Sequence, residues 1–90
     1  MERLHILVTG RVQGVGFRNA AQSQAAALGL VGWVRNAERF DQVEMEVEGP
    51  PEKLEAFLEW LKVGPALAKV MDVHAFAIEP IEEQTFRILR

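Results

Sequence analysis

The stretch Gly10-Arg11-Val12-Gln13-Gly14-Val15-Gly16-Phe17-Arg18 constrains this chain more than any other. Before it runs Leu4-His5-Ile6-Leu7-Val8-Thr9, short, apolar and partly β-branched, which reads as a central strand. After it, Phe17, Ala21, Ala25 and Leu28 recur at helical spacing as one apolar stripe, and Gly29 stops the helix. The pattern is therefore strand, glycine-rich turn, helix. Glycines allow successive backbone N–H groups to turn inward. The start of a helix adds free N–H groups and a positive dipole end. Arg18 contributes a planar fork of donors matched to a tetrahedral oxyanion. Together these predict an anion cradle, with phosphate as the foremost ligand. It is not a Walker loop, because no Lys-Ser or Lys-Thr follows, and not a dinucleotide fingerprint, because Asn19 stands where the third glycine belongs.

The remaining chain supplies a scaffold. Val31 to Asn36 reads as a second strand, and Ala37-Glu38-Arg39-Phe40-Asp41 as a connection. A third strand follows with strict alternation, Val43, Met45 and Val47 facing inward and Glu44, Glu46 and Glu48 outward. The glutamates read as a solvated face, or one partly covered by its neighbours. Pro50 and Pro51 open a second helix, where a missing N–H costs little. Leu54, Phe57, Leu58 and Leu61 form its buried stripe, Trp60 lies at the flank, and Gly64-Pro65 ends it. Val70 to Ile78 reads as a fourth strand whose broken alternation implies a bulge. Thr85 to Leu89 reads as a short strand at an edge. His5, His74 and Trp33 read as packing residues of the strands. The order predicts an α+β class, a ferredoxin-like βαββαβ sandwich: an antiparallel sheet, two helices on one face, and a short extra C-terminal strand.

Composition narrows the class of function. Ninety residues, 1–90, make one domain. The absence of cysteine excludes disulfides and thiolate chemistry. No apolar run approaches membrane-spanning length, and Glu2 and Arg3 do not fit a signal peptide, so a cytoplasmic protein without a membrane partner is expected. Residues 1–39 carry five Arg against two Glu, a surplus of +3, and Arg11, Arg18 and Arg35 lie in or beside the informative stretches. Residues 40–90 carry five basic and eleven acidic side chains, a balance of −6. A locally positive site on an acidic body steers a small anion. It suits nucleic acid poorly, and an RNA-binding sheet would want exposed aromatics where the third strand has glutamates.

Gly10 to Arg18 resembles the signature of the acylphosphatase family. A second stretch, Gly29-Leu30-Val31-Gly32-Trp33-Val34-Arg35-Asn36, is similar to that family's other signature and stands at the expected distance. Glu48-Gly49-Pro50 before the second helix and Gly64-Pro65 after it match the same layout. The resemblance implies that Arg18 binds phosphate and Asn36 holds the attacking water. It implies that the amides of Gln13, Gly14, Val15, Gly16, Phe17 and Arg18 line the phosphate loop. It further implies hydrolysis of a small acyl phosphate to a carboxylate and inorganic phosphate, with no cofactor and no metal; a monomer is expected.

The residue inventory agrees. An asparagine is no usable base but orients water well. Neither motif offers a general acid, so the leaving group must depart unaided. A carboxylate, with a conjugate-acid pKa of about 4, does so. A non-catalytic anion-binding regulatory module is the alternative. Two departures from the family pattern are visible. Asn19 and Ala20 follow Arg18 where a bulky residue is expected, which predicts looser packing beneath the loop. The 37–42 connection lacks a glycine turn, which predicts Phe40 exposed beside the site.

Overall fold

The computed structural model describes residues 1–89; the end of the expected domain, residue 90, lies outside the described residues. In chain order the elements are β1 (Glu2–Arg11), α1 (Phe17–Ala27), β2 (Val31–Asn36), β3 (Gln42–Gly49), α2 (Pro51–Leu61), β4 (Lys69–Ile78) and β5 (Phe86–Ile88). All five strands join one sheet in the order β4-β1-β3-β2-β5. This is the ferredoxin-like arrangement that the sequence predicts.

Alternation decides which face is covered. Leu4, Ile6 and Val8 on β1 stand opposite Val47, Met45 and Val43 on β3, and Val34 on β2 stands opposite Met45. All of these but Leu4, with Phe17, Ala21 and Ala25 of α1 and Leu54, Phe57 and Leu61 of α2, form one buried cluster, against which the partly buried Leu4 packs. Both helices therefore pack on the same face. The alanine stripe of α1 offers no bulk, so that helix lies close to the sheet. Trp60 bridges the helices, its ring 5.9 Å from both Phe17 and Phe57. Each fully buried leucine or phenylalanine in this layer contributes about 1.5–3 kcal/mol by leaving water.

The predicted bulge is present: pairing of β1 with β4 shifts between Thr9 and Gly10, so that Asp72 and Val70 have partners and Met71 has none. Another feature differs from expectation. Pairs β1–β3, β1–β4 and β2–β3 are antiparallel, but β5 runs parallel to β2. The cause lies in the connection. Ile78, Arg3, Glu48 and Val31 mark the same end of the sheet in successive registers. Residues 79–85 cross that end from the outer side of β1 to the outer side of β2. A strand that starts where β2 starts must run with it.

The uncovered face bears out the second of the two readings offered for the three glutamates: it is partly covered by its neighbours, with Glu48 buried and Glu44 and Glu46 20% and 23% exposed. Arg3 is 1% exposed and reaches Glu48 (3.1 Å), Glu46 (3.0 Å) and Glu83 (3.3 Å). Glu48 is equally buried and accepts a further bond from the Ile81 N–H at 2.9 Å. Burial opposes ionisation of Glu48, but the Ile81 N–H and Arg3 outweigh it and hold the carboxyl below the usual carboxylate range. Arg3 thus pins the 79–85 crossing to the sheet.

Candidate active site

The loop between β1 and α1 is fixed at both ends and open between them. Val12 and Phe17 are each 1% exposed, whereas Gly14 and Gly16 are exposed. The Phe17 ring, where the loop enters α1, lies 5.9 Å from that of Trp60. Gly14 (φ 73°) and Gly16 (φ 76°) occupy the left-handed region. A Cβ at either would meet nothing within 4 Å, so backbone conformation and not crowding calls for glycine there.

The consequence is a run of unused donors. Gly16 begins α1 without a side-chain cap, and the first turn holds no acidic residue. The first amide to bond a backbone carbonyl is that of Ala20, to Gly16 at 3.1 Å. Among the described residues, the N–H groups of Gln13, Gly14, Val15, Gly16, Phe17, Arg18 and Asn19 have no intramolecular acceptor. Such groups at a helix start attract an anion. Arg18 stands in that first turn, half-buried, and among the described residues no carboxylate lies within ion-pair distance of it.

Asn36 ends β2 opposite Val43, on the helix-covered side that it shares with Val34. The connection after it is tied to the loop. The Gln13 side-chain amide donates to the carbonyls of Ala37 (3.2 Å), Arg39 (3.0 Å) and Gln42 (2.8 Å). The Gly10 N–H donates to the Asp41 carbonyl at 2.9 Å. Loop and Asn36 are thereby neighbours although 18 to 23 positions separate them. Phe40, 82% exposed, projects from this same connection.

Other residues singled out in the sequence lie elsewhere. Arg35 points to the uncovered face, where its guanidinium meets Glu44 at 2.7 Å and sits 5.2 Å above the Trp33 ring. It is no part of the positive site, because strand alternation sends adjacent residues to opposite faces. Arg11 is exposed at the end of β1, opposite Lys69. His5, Trp33, His74 and Phe76 share the uncovered face, with His5 stacked on Phe76 at 5.1 Å. A cavity of about 630 Å³ lies by Leu7, Arg35, Asn36, Gln42 and Glu44, but neither Arg18 nor any loop residue lines it. Among the described residues no group of three or more His, Cys, Asp or Glu could hold a metal ion. No described helix is long and apolar enough to cross a membrane. The part that sequence reasoning missed is the side chain of Gln13. Its place in the loop was legible, but its bonds to a segment some 24 to 29 residues away depend on the β2–β3 register.

Fold and loop together define a small ferredoxin-like α+β sandwich with an uncapped helix start beside an arginine. Residues 4–88 match the family model described as Acylphosphatase. An acylphosphatase of Methylococcus capsulatus is 46% identical over 92 aligned positions, covering all of this chain and 98% of that protein. One of Moorella thermoacetica is 52% identical, covering 96% of this chain and 91% of that protein. The crystal structure of acylphosphatase from Bacillus subtilis superposes with a TM-score of 0.94 at 38% identity, and each chain is covered completely. Two signatures, one architecture and end-to-end similarity converge: the chain belongs to the acylphosphatase family.

Proposed function

We propose that this acylphosphatase hydrolyses the carboxyl–phosphate bond of small acyl phosphates at the β1–α1 loop, with Arg18 and Asn36 as the catalytic pair. The observation that carries the assignment is the run of seven free N–H groups from Gln13 to Asn19 beside an Arg18 without a carboxylate partner among the described residues. The loop amides and the guanidinium take the phosphoryl oxygens. The loop amides sit on a backbone anchored by Val12 and Phe17, so they stabilise charge on the equatorial oxygens with little reorganisation, and Arg18 adds a positive charge. Asn36 presents its amide to a water on the side opposite the acyl oxygen. Water attacks phosphorus as the bond from phosphorus to the acyl oxygen breaks, and the electron pair leaves on the carboxylate. The water's proton passes to a phosphate oxygen or to bulk water. A carboxylate leaving group, whose conjugate acid has a pKa of about 4, needs neither general acid nor metal.

The test is hydrolysis of benzoyl phosphate, followed by ultraviolet absorbance with a chelator present, for the wild type and Asn36→Ala. Turnover in the wild type is expected to survive the chelator. The variant should retain affinity for inorganic phosphate and lose most of kcat. A variant with intact kcat and raised KM would make Asn36 a binding residue and remove the water-positioning role. A wild type that binds phosphate without turnover would favour the anion-binding regulatory module.

A further inference from the structure

We infer that Gln13 is a positioning residue: its side-chain amide holds the 37–42 connection in the shape that places Asn36 against the phosphate loop. The inference rests on the function proposed above and extends it to a side chain outside the catalytic pair.

The 37–42 connection has little of its own to define its shape. It contains no glycine, and none of its residues has a positive φ. Its internal backbone bonds are two, from the Ala37 N–H to the Gln42 carbonyl (3.0 Å) and from the Gln42 N–H to the Arg39 carbonyl (3.1 Å), and its internal side-chain contact is the exposed Arg39–Asp41 ion pair (2.7 and 3.1 Å), which reaches neither Ala37 nor Asn36. Gln13 Nε2 sits against three of its carbonyl oxygens, at Ala37, Arg39 and Gln42. A primary amide has two hydrogens, so one of the three bonds is shared. Those acceptors also fix the amide's orientation, since the amide oxygen in that position would face three other oxygens. One of the three belongs to the residue directly after Asn36. Moving Ala37 therefore moves Asn36.

The loop itself does not depend on these bonds. Val12 and Phe17 anchor it in the core, and the left-handed Gly14 and Gly16 shape it. Loss of the Gln13 amide should leave the phosphate cradle in place and displace the water-holding side chain relative to it. Misplacement by about 1 Å can lower a rate by about 100-fold. Gln13 thus separates kcat from phosphate affinity, which a merely structural residue would not do.

Two variants test this beside the wild type. In Gln13→Met, similar in length but without donors, kcat for benzoyl phosphate is expected to fall about 10- to 100-fold, with the affinity for inorganic phosphate within about threefold of wild type. Gln13→Glu adds a pH signature. Its neutral carboxyl keeps one O–H donor for the carbonyls, whereas the carboxylate faces three oxygens and is repelled. The ratio of its kcat to that of wild type should rise as pH falls, while the ratio for Gln13→Met stays flat. Thermal unfolding with and without inorganic phosphate checks that both variants are folded. Wild-type kcat in Gln13→Met, or lost phosphate affinity with kcat retained, would overturn the inference and leave the hydrolase reading intact. A wild type without turnover would overturn both.

Discussion

The two faces of the sheet treat charge in opposite ways. On the uncovered face each β3 carboxylate has an arginine partner: Glu44 meets Arg35, and Glu46 and Glu48 meet Arg3, while the His5 ring lies within 3.2 Å of Glu44 and 3.0 Å of Glu46. Among the described residues no buried side-chain nitrogen or oxygen lacks a partner. At the loop, which opens beside the helix-covered face, the donors are left over. Seven N–H groups and the Arg18 guanidinium have no acceptor there among the described residues. A matched charge network holds structure together. An unmatched one leaves donors that water can satisfy and on which an anion can replace it. The comparison separates two sets of residues, one whose loss should unfold the chain and one whose loss should disarm it.

The largest effect is expected at Arg18. Arg18→Ala should lower kcat/KM by at least about 1,000-fold, since a charge acting on the transferring phosphoryl group is worth that much or more. It should also abolish stabilisation by inorganic phosphate in thermal unfolding. Global stability should change by less than about 0.5 kcal/mol, because Arg18 has no ion pair among the described residues to lose. Near-normal phosphate affinity in this variant would break the contrast between the faces.

Glu48→Ala is the converse experiment. It removes one of the three carboxylate partners of the buried Arg3 guanidinium and frees the Ile81 N–H, so stability in urea should fall by about 1–3 kcal/mol. The folded fraction should keep its kcat, because Glu48 lies at the far end of the sheet from the loop. Glu48 faces Arg3 near the start of β1, whereas the loop follows its end. A parallel loss of kcat in fully folded protein would show that the network also serves the site.

The same network gives a pH dependence with a definite sign. Burial opposes ionisation of Glu46 and Glu48, but the His5 and Arg3 contacts of Glu46, and the Ile81 N–H and Arg3 contacts of Glu48, hold both carboxyls below the usual range. A lowered folded-state value means that their stabilisation is complete above the unfolded value of about 4.3. It is lost as pH falls through the lower folded-state values. Urea midpoints measured down this range should drop, and the drop should be shallower in Glu48→Ala. An equal slope in the two proteins would assign acid unfolding to other groups.

Much of this was legible in the sequence because periodicity and glycine placement report local rules. Val43, Met45 and Val47 alternate and are buried; Gly16 and Arg18 sit where a strand gives way to a helix. What stayed hidden depends on distant pairing. The three glutamates announce an outward face, but nothing in their spacing reveals that Arg3, more than forty residues earlier, will cover it. The parallel direction of β5 follows from the path of residues 79–85 across one end of the sheet, and no local signal encodes that path. Gln13 shows the same limit inside the site. Its position marks it as part of the loop, and only the register of β2 with β3 reveals what its side chain holds.

The smallest expected effect tests the boundary between the two faces at one peptide bond. Arg35 and Asn36 are adjacent, yet alternation sends them to opposite sides of β2. The Arg35 guanidinium is about half exposed, pairs with Glu44 at 2.7 Å and lies 5.2 Å above the Trp33 ring. An exposed ion pair and a cation–π contact are each worth about 0.5–1 kcal/mol. Glu44 keeps His5 at 3.2 Å when the arginine is gone. Arg35→Ala should therefore cost about 1 kcal/mol in urea unfolding and leave kcat within about threefold. Since Arg35 is one of the cations closest in sequence to Asn36, a positive field at the site that depended on it would raise KM in this variant and change its salt dependence. If KM and its salt dependence match the wild type, the local positive charge belongs to Arg18 and the loop amides, and the basic surplus of residues 1–39 divides between two faces with separate tasks.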